Sequence, residues 1–170
     1  MFTSILAKII NHRNLSQMEM SDTLSAIFSG LLSDAQIGAF MAALATKGET
    51  LEELAGAAEA MRRHAVRVQA TAPIVVDTCG TGGDGAKTFN ISTTAAFVVA
   101  GAGITVAKHG NRSISSQCGS ADVLEVLGVN LDAEPEVAEE AVNEINIGFL
   151  FAPLFHNAMK YAAGPRKELG

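Results

Sequence analysis

Cysteine is scarce: only Cys79 and Cys118 occur in 170 residues, with neither a C-x-x-C pair nor histidines at zinc spacing. No thiolate zinc site is expected, and a reducing, cytoplasmic setting fits best. Each cysteine lies beside a glycine and reads as a small packing residue with no chemistry assigned to it. Basic runs are short as well. With 12 Lys+Arg against 18 Asp+Glu, a formal net charge of −6 and no run beyond Arg62-Arg63, no surface that tracks nucleic-acid phosphates is expected. The start, MFTSILAKIINHRN, has neither the apolar stretch nor the small-residue cleavage site of a signal peptide. The longest apolar stretch, Ala95 to Ala107, is interrupted by two glycines and a threonine. It falls short of the roughly 20 residues that span a bilayer, so no membrane helix is expected.

What is present is apolar substance: 48% of residues are hydrophobic and 18% charged, which excludes wholesale disorder and gives a globular chain with a core. Residues 1–70 read as helices only. Ser16 to Glu19, Ser33 to Gln36 and Thr50 to Glu53 each form the reciprocal box that satisfies orphan N–H groups at a helix start. Apolar residues follow at helical spacing: Met20, Leu24, Ile27, Phe28 and Leu31, then Ile37, Phe40, Met41 and Leu44. Gly30 and Gly48 stand where such helices stop. The third segment, Thr50 to about Val68, places Leu51, Leu54, Ala55, Ala58 and Met61 on one apolar face, and small residues such as Ala42, Ala43, Ala57 and Ala58 would let helices approach closely, in the core, which needs fewer assumptions, or across a dimer interface. The segment ends in Arg62, Arg63 and Arg67, the sign favoured at a helix C-terminus.

At Ala70-Thr71-Ala72-Pro73 the pattern changes. Ile74 to Asp77 suits a buried parallel strand, Ser92 to Ala100 a helix and Ile104 to Ala107 a second strand, which together make a β-α-β unit. Helices are expected near Ala121 to Leu127 and Pro135 to Asn146, a third strand at Ile147 to Phe151, and a helical remainder broken at Pro153 and Pro165. The expected architecture is therefore α/β: an N-terminal all-helical domain, 1–70, followed by the start of a mainly parallel α/β domain, 71–170. A three-stranded parallel sheet is small, so that domain reads as incomplete.

Two loops carry the chemistry. After the first strand, Gly80, Gly82, Gly83 and Gly85 let the backbone approach a ligand, and the following helix offers its N–H groups to a phosphate. Gly80-x-Gly82-x-x-Gly85 satisfies a dinucleotide pattern, but Lys108 stands where that pattern wants an acid at the end of the second strand. A phosphate-binding P-loop fails by one residue, because Ala86 precedes Lys87-Thr88. A glycine-rich turn that binds nothing stays open on the first loop alone. The second loop, Lys108 to Ser120, leaves the next strand at the same sheet edge. Lys108 and Arg112 can neutralise a diphosphate, Asn111 and the serines can donate to it, and Ser120 can cap the helix that follows.

At these residues the chain resembles the anthranilate phosphoribosyltransferase family. The Gly80-Thr81-Gly82-Gly83-Asp84 loop, the Asn90-Ile91-Ser92-Thr93 helix start and the Lys108-His109-Gly110-Asn111-Arg112 run match that family in order and spacing. The resemblance runs through the whole chain and covers about half of a family member. It implies that Gly80, Gly83, Asp84, Thr88, Asn90, Ile91, Ser92 and Thr93 bind phosphoribosyl pyrophosphate, with Ser92 also a ligand of Mg2+. It further implies that Lys108, His109, Gly110, Asn111, Arg112, Ser113, Ile114, Ser115 and Ser116, with Ser120, close over the diphosphate. Gly80, Asn111 and Arg166 are implied for anthranilate, whose carboxylate suits a guanidinium fork, with His109, Pro153, His156 and Tyr161 around them. Two departures stand out: Asn157 follows His156 where the family has proline, and the family's Asp-Glu metal pair is absent. The only adjacent acids, Glu52-Glu53 and Glu139-Glu140, read as solvated helix faces, so the metal pair is expected beyond Gly170.

The implied reaction moves a 5-phosphoribosyl group onto the amine of anthranilate, releasing pyrophosphate, in tryptophan biosynthesis, by a homodimer joined through the helical domain. Other readings are an enzyme like pyrimidine nucleoside phosphorylase, against which the Lys108 to Arg112 run argues, and a non-catalytic dimerisation or ligand-binding module. The 170-residue chain alone is expected to be nearly inactive.

Overall fold

The computed structural model describes residues 2–80, 89–113 and 118–169. Its contacts divide the chain into two units, one made of 1–65 with 156–170 and the other of 66–155. The first boundary lies near the expected 70. The second was not expected: the last stretch packs with the helical unit and is not part of the sheet unit.

The helical unit is built from α1 (Phe2–Ile10), α2 (Gln17–Phe28), α3 (Asp34–Lys47), α4 (Leu51–His64) and, from the far end of the chain, α9 (Lys160–Leu169). All three expected capping boxes are formed, with Ser16, Ser33 and Thr50 each accepting from the backbone N–H three residues on. Gly30 and Gly48 follow the helix ends with positive φ, 69° and 84°, a conformation that glycine adopts without a Cβ clash. α2 packs on α4, α1 on α3, and α9 on both α3 and α2. The core includes Ile5, Ile9, Leu15, Met20, Ile27, Ile37, Phe40 and Ala162. Each fully buried Ile or Leu among them contributes about 1.5–3 kcal/mol of transfer free energy.

α4 turns the opposite way from the sequence expectation. Leu51 and Leu54 are 85% and 55% exposed, and the buried side is Glu53, Gly56 and Ala60. The reason is close approach: a Cβ on Gly56 would run into the Gln17 carbonyl and Met20 of α2, so only the small-residue face of α4 fits there. Glu53 is correspondingly not a solvated acid. It is wholly buried, accepting from Leu15 N–H (2.8 Å), Thr50 N–H (2.8 Å) and Lys47 Nζ (2.8 Å). Burial pushes its carboxyl up, but these donors outweigh that and hold its pKa at about 2.

The sheet unit contains β1 (Val75–Val76), α5 (Ile91–Gly101), β2 (Thr105–Gly110), α6 (Ser120–Val126), α7 (Pro135–Glu144), β3 (Ile147–Phe151) and the short α8 (Ala152–Phe155). The strands are parallel in the order β1-β2-β3. α7 lies so close to β3 that a Cβ on Gly148 would strike Val142 and the Ala138 carbonyl. Glu139 is no free surface acid either, since it accepts the Gln69 N–H at 2.7 Å. β2 continues three residues past the expected Ala107 because its ladder with β3 runs on to Gly110 opposite Phe151. That ladder places Lys108 on a strand, two residues from Val106, so both point to the same side and both are buried.

The expected break at Pro165 does not occur. Pro165 lies within α9 and is buried there. Its missing N–H costs one helical bond, and Gly164 before it, having no Cβ, eases the clash that proline imposes on its predecessor. No helix among the described residues is long and apolar enough to cross a membrane.

Candidate functional site

The carboxyl ends of β1 and β2 and the first turn of α5 meet around Lys108. Its Nζ donates to Thr78 Oγ1 at 3.4 Å and to Ser92 Oγ at 3.3 Å, both long contacts. The side chains around it are themselves fixed. Thr78 Oγ1 donates to the Ser92 carbonyl at 2.8 Å, Ser92 Oγ donates to Asn90 Oδ1 at 3.3 Å, and Asn90 caps α5 by accepting the Thr93 N–H at 3.2 Å. Lys108 is only 3% exposed, and among the described residues no carboxylate forms an ion pair with it. Burial pushes its ammonium pKa down, opposed by the nearby charge of Asp77. Among the described residues only hydroxyls touch this buried cation and Asp77 supports it from beyond ion-pair distance, which leaves the place attractive to an anion.

Asp77 fastens the two strand ends together. Its Oδ1 accepts both the Cys79 N–H (2.9 Å) and the His109 N–H (3.2 Å). Sequence reasoning gave Asp77 and Thr78 no role, since Asp77 read as the last residue of a strand that in the fold covers only Val75–Val76. Cys79 and Cys118 are exposed and form no disulfide, so the packing reading does not hold for them. Desolvation and the Asp77 charge push the Cys79 thiol upward, away from a reactive thiolate.

Arg112 points at α6. Its guanidinium forks onto Glu125 at 2.7 and 2.8 Å and reaches Asp122 at 3.2 Å. Asp122 also accepts the N–H groups of Ser113 (3.1 Å) and Gly119 (2.7 Å). The Asn111 carbonyl accepts from Ala121 N–H at 3.2 Å and from Ser120 Oγ at 3.5 Å. Gly110 and Gly119 lie where a Cβ would meet Ser120 or Phe149 and the backbone of 111–113, respectively.

These features occupy a stretch, 72–170, that matches the a/b domain of the glycosyl transferase family, while residues 3–65 match the family's helical bundle domain. The chain belongs to the glycosyl transferase family. Within it the chain is 79% identical, over its full length, to anthranilate phosphoribosyltransferase of Desulfosudis oleivorans, covering 50% of that relative. The crystal structure of anthranilate phosphoribosyltransferase from Thermus thermophilus is similar at a TM-score of 0.86 and 44% identity, over 97% of this chain and 50% of that one. The enzyme from Saccharomyces cerevisiae in complex with phosphoribosyl pyrophosphate (PRPP) and Mg is similar at a TM-score of 0.86 and 31% identity, over 99% and 51%. The chain spans about half the length of the curated relatives it matches.

Of the site residues expected from sequence, the family's sheet unit holds Asn90, Ser92, Lys108 and His109 in one connected group, with Ile91 and the buried Thr93 on the same first turn of α5. Gly80 follows Cys79 and is exposed. Gly110, Asn111, Arg112, Ser113 and Ser120 form a second group at α6. Gly83, Asp84, Thr88, Ile114, Ser115 and Ser116 lie outside the described residues. Pro153 is in α8 and exposed. His156, Tyr161 and Arg166 belong to the helical unit. There His156 caps the 3-10 turn Asn157–Met159, the Tyr161 ring lies against Gly30, and Arg166 is exposed on α9.

For Mg2+, Ser92 Oγ offers one neutral oxygen, and no group of three or more His, Cys, Asp or Glu side chains that could hold a metal occurs among the described residues. One neutral oxygen suits Mg2+ only as one ligand among several.

Proposed function

We propose that this chain carries the PRPP site of an anthranilate phosphoribosyltransferase, a pentosyltransferase that joins the amine of anthranilate to C1 of the ribose and releases pyrophosphate. The observation that carries the reading is the buried ammonium of Lys108 at the first turn of α5, which among the described residues contacts hydroxyls and forms no ion pair. In the transfer, the amine nitrogen forms the new bond to C1, the bond from C1 to the diphosphate oxygen breaks, and the amine gives up a proton. The nucleophile is a neutral aromatic amine and needs no covalent catalyst. The residues serve by position and charge. Lys108 faces the charge that grows on the leaving diphosphate, and the positive end of α5 adds to its support, although the Ile91 N–H is already given to the Phe89 carbonyl at 2.7 Å. Bound Mg2+, with Ser92 as its ligand from this chain, would supply further neutralisation of the leaving group.

The anthranilate roles of Gly80, Asn111 and Arg166, and those of His109, Pro153, His156 and Tyr161, stand as the resemblance implies them. So do the diphosphate roles of Gly83, Asp84, Thr88 and 114–116. Association of two copies through the helical unit is supported by the exposed stripe of Leu51, Leu54, Ala55, Ala58 and Met61 on α4.

Thermal melting of the chain with PRPP and Mg2+, against NAD and ATP, tests the substrate assignment. Selective binding at a hundredfold excess over Kd raises stability by about 2.7 kcal/mol. A shift with PRPP alone supports it, and equal shifts with ATP or no shift at all reject it. Anthranilate fluorescence should fall only slowly with the chain alone, because the acidic metal pair is absent from it.

A further inference from the structure

We propose that Asp122 is a positioning residue that clasps both stems of the second ligand loop at one carboxylate. The inference rests on the PRPP reading of that loop. Oδ2 of Asp122 accepts the Ser113 N–H at 3.1 Å and the Gly119 N–H at 2.7 Å, the residues that bracket 114–117. Oδ1 takes the Arg112 guanidinium at 3.2 Å, which Glu125 holds from its other side. One side chain on the first turn of α6 thus gathers three donors from residues that are nine and ten positions away on one stem and three on the other.

The glycine at 119 is part of the same device. A Cβ there would meet Ser113 N, the Arg112 carbonyl carbon and the Asn111 carbonyl oxygen, so the two stems approach too closely for any other residue. The donors, led by the Gly119 and Ser113 N–H groups, hold the Asp122 carboxyl below its ordinary range, as expected of an anion that accepts several strong bonds. The consequence is positional. With both stems fixed to α6, the backbone of 111–113 leaves β2 on a set path, and Ser120 Oγ lies against Gly110 and the Asn111 carbonyl. The entropy of fixing these two stems is then spent on folding and not on binding. Arg112, tied to two acids, is assigned to this clasp.

The test compares the unaltered chain with Asp122→Asn, Asp122→Ala and Leu124→Ala. Leu124 is a buried residue of α6 that makes no part of the clasp, so its truncation loosens the helix by packing alone. PRPP with Mg2+ is titrated by calorimetry below every variant's melting range, and amide exchange is read at Ser113 and Gly119. The expected result is an affinity at least roughly tenfold lower for both Asp122 variants, the size of losing a hydrogen bond to a charged group. Loss of protection at Ser113 and Gly119 should accompany it, while Leu124→Ala melts earlier and binds within about twofold of the unaltered chain. Unchanged affinity in the Asp122 variants overturns the clasp alone. An equal loss in Leu124→Ala also overturns it, since the effect would then be general loosening of α6. No binding by the unaltered chain, with exchange at Ser113 and Gly119 still sensitive to Asp122, overturns the PRPP reading and with it the ligand-positioning role.

Discussion

Lys108 and Glu53 are both buried charged groups, and their surroundings give opposite consequences. Glu53 receives strong donors on both oxygens, whereas Lys108 has two long contacts to hydroxyls. Lys108 therefore costs the unliganded fold stability that a ligand would return. Replacing it by Met should raise the melting temperature of the free chain by about 2–4 °C per kcal/mol recovered and abolish any shift with PRPP; calorimetric melting reads both. A drop in the melting temperature would show that the hydroxyls already satisfy the ammonium. For Glu53, a pKa held at about 2 against an ordinary 4.5 means that the folded state binds the proton more weakly than the unfolded one. Its contribution, on the order of 3 kcal/mol, is complete above about pH 4.5, shrinks as pH falls and is gone below about pH 2. Glu53→Gln should lower stability at pH 7 by that order and flatten the dependence between pH 5 and 2, as measured by urea denaturation across pH. Neither burial could be read from the sequence, where a Glu beside a Glu on an amphipathic helix looks like a solvated face.

Helix starts were legible because a capping box is local: Ser16, Ser33 and Thr50 need only a partner three residues away. The face a helix buries is not local. On α4 the hydrophobic spacing pointed inward, yet the close approach of α2 at Gly56 selected the small side. Gly56→Ala tests this, because the same change usually stabilises a helix interior by about 1 kcal/mol. Here the added methyl meets the Gln17 carbonyl, and a net loss of about 1–3 kcal/mol is expected in denaturant titrations. Any gain in stability would show that α2 moves aside without cost. At the site, Asn90, Ser92 and Lys108 were named from the sequence and meet in the fold, while 81–88 and 114–117 lie outside the described residues. Asp77 and Asp122 were not, since each acts across a gap that only the folded strands and α6 close. The length of β2 was hidden for a related reason: Lys108 and His109 are poor strand signals, and the ladder to β3 decides their conformation.

For the whole molecule, the sequence order of segments and their assignment to units differ. Residues 156–170 follow the sheet yet pack with the helices, because Ala162 joins the core of α1 to α4 and α9 lies on α3. A chain ended at Phe155 should therefore lose amide protection at Ile37 and Phe40 in α3 while keeping it at Val106 in β2; hydrogen exchange distinguishes the two. Protection lost at Val106 instead would place the tail's contribution in the wrong unit. The same topology governs how the protein is made. Synthesis delivers α1 to α4 first, then everything from Val66 to Phe155, and only afterwards α9, which packs on α2 and α3. At cellular elongation rates the first four helices wait on the order of ten seconds for α9. During that interval the nascent chain carries an open apolar seam beside the ribosome, and a chaperone that binds such seams would meet this protein there.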